Sequence, residues 1–129
     1  MDTIADFITR IRNAGFAKHE KVDIASSKIK EGIARILKDH GYIKTFRVAQ
    51  DGKQGLMRVY LNYDKTGRPA IESIQRVSRP SKRVYVKSTE IPQVRSGYGI
   101  TILSTNKGVL SGEEATTSNV GGEILLKIW

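Results

Sequence analysis

Residues 97–122 read GYGITILSTNKGVLSGEEATTSNVGG, and the parsing of this stretch decides the second half of the fold. Gly97 and Gly99 lead into an apolar β-prone run, Ile100, Ile102 and Leu103. The run halts at Ser104-Thr105-Asn106-Lys107 and Gly108 turns the chain back, which predicts a strand tip bearing two hydroxyls, an amide and a cation. Ser111-Gly112-Glu113-Glu114 has the Ser-x-x-Glu capping-box pattern and predicts a short helix near 113–117. Gly121 and Gly122 permit close backbone approach, and Glu123 to Trp129 is an apolar final strand expected to close a second sheet. Neutral donors at a tip suit a surface rich in acceptors, such as the shallow minor groove of RNA with its 2′-hydroxyls. The same residues also make an ordinary surface turn.

Just upstream, Arg83-Val84-Tyr85-Val86 alternates, sending Arg83 and Tyr85 to one face of a strand and Val84 and Val86 to the other. A cation beside an aromatic ring can accept a base by stacking; the alternative places Tyr85 in the core with its hydroxyl at the surface. Before it, Ser78-Arg79-Pro80-Ser81 interrupts both periodicities and is the expected boundary between domains 1–77 and 78–129.

In the first of these, Ile4, Phe7, Ile8 and Ile11 share one helical face, with Asp2 or Thr3 as cap and Gly15 beyond the last turn. Thr9, Arg10, Arg12 and Asn13 lie off that face. Lys21 to Ile24 predicts a short strand. Ser26 or Ser27 opens a second helix through Ile29, Ile33, Ile36 and Leu37, stopping at Gly41. Lys28, Lys30 and Arg35 fall off its apolar stripe and are candidate phosphate contacts. Ile43–Val48 and Leu56–Tyr63 then form a hairpin around Asp51-Gly52, and residues 70–77 read as one more strand. The expected fold is α+β: an N-terminal two-layer helix/sheet domain (α-β-α-β-β) and a C-terminal, mostly β domain with a short helix.

Composition narrows the function. Lys and Arg number 22 against 13 Asp and Glu, a formal net charge of +9 over 129 residues. The excess is spread along the chain, 15 against 9 in residues 1–77 and 7 against 4 in 78–129. A folded basic surface for a polyanion is therefore expected, rather than a basic tail or a membrane-surface helix. There is no cysteine, which excludes disulfides and thiolate metal sites. No apolar run is long enough to span a bilayer, and the N-terminus enters directly on an amphipathic pattern, so a soluble cytoplasmic protein is expected.

Enzyme signatures fail on inspection. Gly97-Tyr98-Gly99 begins a G-x-G-x-x-G pattern that Ile102 breaks, and no phosphate-binding G-x-x-x-x-G-K-[ST] loop occurs. Ser27 to Lys30 and Ser104 to Lys107 match S-x-x-K and Lys65-Thr66-Gly67 matches K-T-G, but the companion S-D-N is missing. His19 and His40 stand in no recognisable triad order. No catalytic residue, metal or cofactor is expected. A helix-turn-helix reader of DNA is disfavoured, since a predicted strand separates the two helices.

Several motifs together resemble the bacterial small-subunit ribosomal protein eight (S-eight) family: Asp2-Thr3-Ile4-Ala5-Asp6, Thr9 to Ala14, Arg83-Val84-Tyr85, Gly99-Ile100, Ile102 to Thr105, Lys107-Gly108-Val109 and Gly121-Gly122-Glu123-Ile124. The resemblance runs the length of the chain, in order. It implies a structural, primary binder of small-subunit ribosomal RNA, docking on the central domain of 16S-type rRNA and helping the platform assemble. It further implies ribosomal proteins S-five and S-twelve as neighbours and, in some members, binding to the messenger RNA of their own operon. By motif match, RNA contact falls on Arg83, Tyr85, Ser104, Thr105, Asn106, Lys107, Gly121, Gly122 and Glu123, with Thr3, Thr9, Arg10, Arg12, Asn13 and Lys28 adding backbone contacts. The ribosome implied is that of the cytoplasm, an organellar one being the alternative. The alternative function is another non-catalytic structured-RNA-binding or regulatory protein. The chain departs from the family pattern at Thr3, Ala25, Ser81, Asn106 and Thr116; a threonine in place of arginine at 116 removes one phosphate contact. Glu123, repelled by phosphate, is expected to accept hydrogen bonds from nucleobase amino groups, 2′-hydroxyls or the adjacent loop.

Overall fold

Ser27 and Gly41 bracket the helix that orders the first unit. Ser27 is extended and its hydroxyl accepts the Lys30 N–H at 3.2 Å, capping α2 (Lys28–Asp39). Gly41, at φ +77°, ends it, with its N–H donating to the Lys38 carbonyl and that of Tyr42 to Leu37. The computed structural model describes residues 3–50, 52 and 55–129, in two units, Thr3–Glu72 and Ser73–Trp129. The cap expected at Asp2 and the turn residues Asp51, Lys53 and Gln54 lie outside the described residues.

In the first unit, α1 (Thr3–Phe16) and α2 pack on an antiparallel sheet in the order β1 (Lys21–Ala25), β3 (Leu56–Leu61), β2 (Ile43–Ala49). The helices bury the face predicted on α1, Ile4, Phe7, Ile8 and Ile11, and Ile33, Ile36 and Leu37 of the stripe predicted on α2 together with Ala34, and Ile24, Met57 and Val59 of the sheet are buried with them. The β2–β3 register, Ala49 opposite Leu56 through Ile43 opposite Leu61, is the expected hairpin.

Two local readings need correction. Gly15 lies inside α1; the left-handed position that follows the helix is taken by Lys18 (φ +59°). Lys30 is no phosphate contact. It is 2% exposed, its ammonium donating to the Ala25 carbonyl at 2.8 Å, while Ile29 is left exposed. The strand-to-helix turn holds an unpaired carbonyl that needs a donor more than the core needs another isoleucine. Arg35 pairs with Asp39 at 3.2 Å, one turn along its own helix.

The second unit is a five-stranded antiparallel sheet with one short helix. Its central strand is β8 (Gly122–Ile128), flanked on one edge by β6 (Ile100–Thr105) and then β7 (Gly108–Ser111). Its other edge is shared: β4 (Ile74–Arg76) pairs with Leu126–Ile128 and β5 (Tyr85–Val86) with Gly122 and Glu123. The last strand thus forms the middle of the sheet, as its buried Ile124-Leu125-Leu126 run suits. The strand expected over 70–77 as part of the first domain belongs here instead, so the compact units meet at Glu72/Ser73. Helix α3 (Gly112–Thr117) carries both halves of the capping box, Ser111 hydroxyl to Glu114 N–H and Glu114 carboxylate to Ser111 N–H, each 3.1 Å. Its Ala115 packs into a cluster with Leu103 and Ile124, joined by Val84, Val86 and Val120.

Candidate nucleic-acid interface

Strand register builds the site. Ser104 on β6 and Tyr85 on β5 are both opposite Glu123 on β8, so the three side chains form one row on one face of the sheet. The other face is apolar, with Leu103, Ile124, Val84 and Val86 in the core. The alternation predicted for 83–86 therefore holds: Tyr85 is 68% exposed, and Arg83 reaches the Glu123 carboxylate at 3.0 Å.

Two glycines let these strands close up. A β-carbon on Gly122 would lie 2.2 Å from the Ser104 carbonyl oxygen, and one on Gly121 2.3 Å from that of Val86. The result is an open groove of about 460 Å³ lined by Tyr85, Ser104, Thr105, Asn106, Gly121, Gly122 and Glu123, together with Asn119 and Val120.

Within the β6–β7 tip the hydroxyls divide their labour. Thr105 Oγ1 donates to the Gly108 carbonyl at 2.8 Å and accepts the Lys107 N–H at 3.1 Å, so it holds the turn. Gly108, at φ +100°, takes the left-handed position this turn requires. The Ser104 hydroxyl and the Asn106 amide have no protein partner among the described residues. Lys107 is exposed on the turn, outside the groove.

Glu123 is the anchored anion of the row, its side chain 14% exposed. Its Oε2 accepts from the Ser78 hydroxyl and from Arg83, and the Ser78 oxygen in turn accepts the Val84 N–H at 3.1 Å. Glu123 also lines the groove. Partial burial pushes this carboxyl up, but the hydrogen bonds from Ser78 and Arg83 and the charges of Arg83 and Arg76 outweigh it and hold the pKa below the usual glutamate range. A depressed folded-state pKa adds stability above the unfolded pKa that is lost as pH falls through the folded value. Glu123→Gln should therefore flatten the acid limb of the stability curve below about pH 4.5; urea melts across pH 3–6 check it, and an unchanged acid limb would mean the carboxylate network contributes nothing.

Ser78 and Asn119 escaped the sequence reading. Ser78 is fully buried but sits in a Ser-Arg-Pro-Ser run that reads as linker. Asn119 follows α3 in the left-handed conformation (φ +60°), and an Asn just past a capped helix was a usable signal. The remaining candidates, Thr3, Thr9, Arg10, Arg12, Asn13 and Lys28, are exposed on the helices of the first unit, Arg10 paired with Asp6 at 3.1 Å. Each set belongs to its own unit. Among the described residues there is no group of three or more His, Asp or Glu placed to hold a metal, and no helix is long and apolar enough to cross a membrane.

The comparisons with known proteins agree along the whole chain. The family model described as ribosomal protein S8 matches residues 2–129. The chain is 60% identical to the small ribosomal subunit protein uS8 of Bdellovibrio bacteriovorus over all of both chains. It is 52% identical to uS8 of Geobacter metallireducens over 99% of this chain and 97% of that one, and 49% to uS8 of Streptococcus equi subsp. zooepidemicus over the same shares. A match this continuous leaves no part of either unit unaccounted for: the chain belongs to the ribosomal protein S8 family of structural, non-catalytic small-subunit proteins.

Proposed function

We propose that this protein is a primary rRNA binder that docks on the central domain of 16S-type rRNA in the cytoplasmic small subunit and helps the platform assemble. The observation that carries this reading is the Tyr85–Glu123–Ser104 row. An aromatic face for stacking, an anchored acceptor and an unpartnered hydroxyl stand side by side, with the Asn106 amide at the rim of the same groove. Such a set reads an irregular helix by shape and by 2′-hydroxyl and base-edge contacts rather than by charge alone. Glu123 takes the acceptor's part: Oε2 is held by Ser78 and Arg83, and Oε1 meets amino or 2′-hydroxyl donors. Thr3, Thr9, Arg10, Arg12, Asn13 and Lys28, with Lys107 at the tip, supply backbone contacts, and the net charge of +9 supplies long-range attraction. S-five and S-twelve are the proposed protein neighbours, and the operon messenger RNA is a second ligand for the same groove wherever it folds like the rRNA site.

The test is chemical probing of small-subunit rRNA with the purified protein, alongside a salt titration. A defined irregular helix in the central domain should be protected. Log affinity should fall linearly with log salt, each neutralised phosphate contributing about 0.7–0.9 of slope. Protection elsewhere or nowhere would reject the docking site, and a flat titration would reject the electrostatic part.

A further inference from the structure

A second concavity, to which β8 contributes Ile124 and Lys127, is built by different chemistry. It measures about 300 Å³ and its floor is aliphatic, from Val77, Val94 and Ile124. Its rim carries Arg95, Lys127 and Trp129, and among the described residues no Asp or Glu side chain lines it. The Arg95 guanidinium stacks over the Trp129 ring at 4.6 Å and the Lys127 ammonium lies 5.8 Å from the same ring. Cation–π stacking fixes the guanidinium plane while leaving its fork of N–H donors outward, the arrangement that receives a carboxylate in two-point fashion.

The backbone holds this placement firmly. Arg95, Ser96 and Gly97 have φ of +50°, +55° and +95° in succession, a conformation that side-chain-bearing residues avoid. It is clamped by N–H bonds from Gly97 and Gly99 to the Val94 carbonyl, both 3.0 Å. The clamp packs onto β8, since a β-carbon on Gly99 would lie 2.4 Å from the Ile128 carbonyl oxygen. Trp129 is tied through reciprocal 3.0 Å bonds with Ser73.

We infer that this cleft docks an acidic peptide segment bearing one apolar anchor side chain, supplied by a neighbouring protein of the subunit. An aliphatic floor takes a leucine or phenylalanine side chain, and the two rim cations pair with the flanking carboxylates. A nucleobase fits less well. Its edge needs in-plane partners, and the side chains offering amide or hydroxyl groups are Gln93 and Thr101, the latter 4% exposed. Ile124 enters the cleft from the apolar face of β8 and Glu123 the groove from the other face, so RNA and peptide can be held at once.

Trp129 is the only tryptophan and the chain has no cysteine, so both reporter and label are unique. Purified protein is titrated with the acetylated peptide Glu-Asp-Phe-Asp-Glu, its basic counterpart Lys-Lys-Phe-Lys-Lys and a uridine oligonucleotide, following Trp129 emission. The acidic peptide should give a saturable shift, Arg95→Gln and Lys127→Gln should each weaken it by about two- to fivefold, and the other two probes should leave emission unchanged. No saturable response to the acidic peptide, or an equal response to either control, overturns the inference. In assembled subunits, benzophenone on Gln93→Cys should cross-link to a protein segment whose carboxylates flank an apolar residue. A cross-link to RNA, or to a segment without carboxylates, overturns it as well, whatever the groove binds.

Discussion

Gly122→Ala should lower the melting temperature by roughly 10 °C and weaken rRNA binding about tenfold or more. The methyl group would sit 2.2 Å from the Ser104 carbonyl oxygen and 3.0 Å from its carbon. These are backbone atoms of the paired strand, so nothing can rotate away. β6 and β8 must part at the Thr105–Gly122 pair, beside the row that carries Ser104 and Glu123. Overpacking of this kind costs about 1–3 kcal/mol, and each kcal/mol moves the melting point of a domain this size by roughly 4 °C. Gly108→Ala is the control: its φ of +100° brings strain, but nothing lies within 4 Å of the new carbon. It should cost about 1–2 kcal/mol and leave the groove as it was. Thermal melts and binding titrations of both variants decide the matter. A Gly122→Ala protein with wild-type stability and affinity would refute the close-packing account of the groove.

Ser104→Ala combined with Asn106→Ala should cost about 1–3 kcal/mol at the cognate rRNA site, roughly 5- to 150-fold, and little on a scrambled duplex. The two groups lack protein partners among the described residues, so their removal leaves the fold intact and deletes only contacts to ligand, at about 0.5–1.5 kcal/mol each. Lys107→Ala, by contrast, should weaken both RNAs together and reduce the salt slope by up to about one unit. Thr105→Val does not belong with the pair. Its hydroxyl is spent on Gly108 and Lys107, so the substitution tests turn stability, read by melting. Parallel titrations with cognate and scrambled RNA separate the outcomes: equal losses on both would make the tip a charge contact, and no loss on either would make it only a turn.

What could be read from the residues was local. Ser27 and Gly41 mark α2, the Ser111–Glu114 box marks α3, and the paired glycines before Glu123 mark a close approach, because each acts on atoms within a few positions of itself. Pairing across long separations was not legible. Nothing in Ile74-Gln75-Arg76 says that it meets Leu126–Ile128 rather than the neighbouring hairpin, and no spacing places Tyr85 and Ser104 on either side of Glu123. Burial of polar groups was equally hidden. Lys30 is called inward by a lone carbonyl on Ala25 and Ser78 by a carboxylate 45 residues away, needs that exist only once the chain has folded.

The shared edge of β8 bears on how this protein can be divided. A C-terminal piece cut at Arg79, where the Pro80 turn invites a cut, would leave behind all of β4 and the Ser78 hydroxyl. Half of the central strand would then present bare N–H and C=O groups along Leu126–Ile128, an invitation to edge-to-edge self-association. The Glu123 carboxylate would lose its innermost donor at the same stroke. A piece beginning at Ser73 keeps both, and with them the reciprocal bonds to Trp129, so the six residues from Ser73 to Ser78 separate a unit with its sheet edge covered from a fragment prone to self-association.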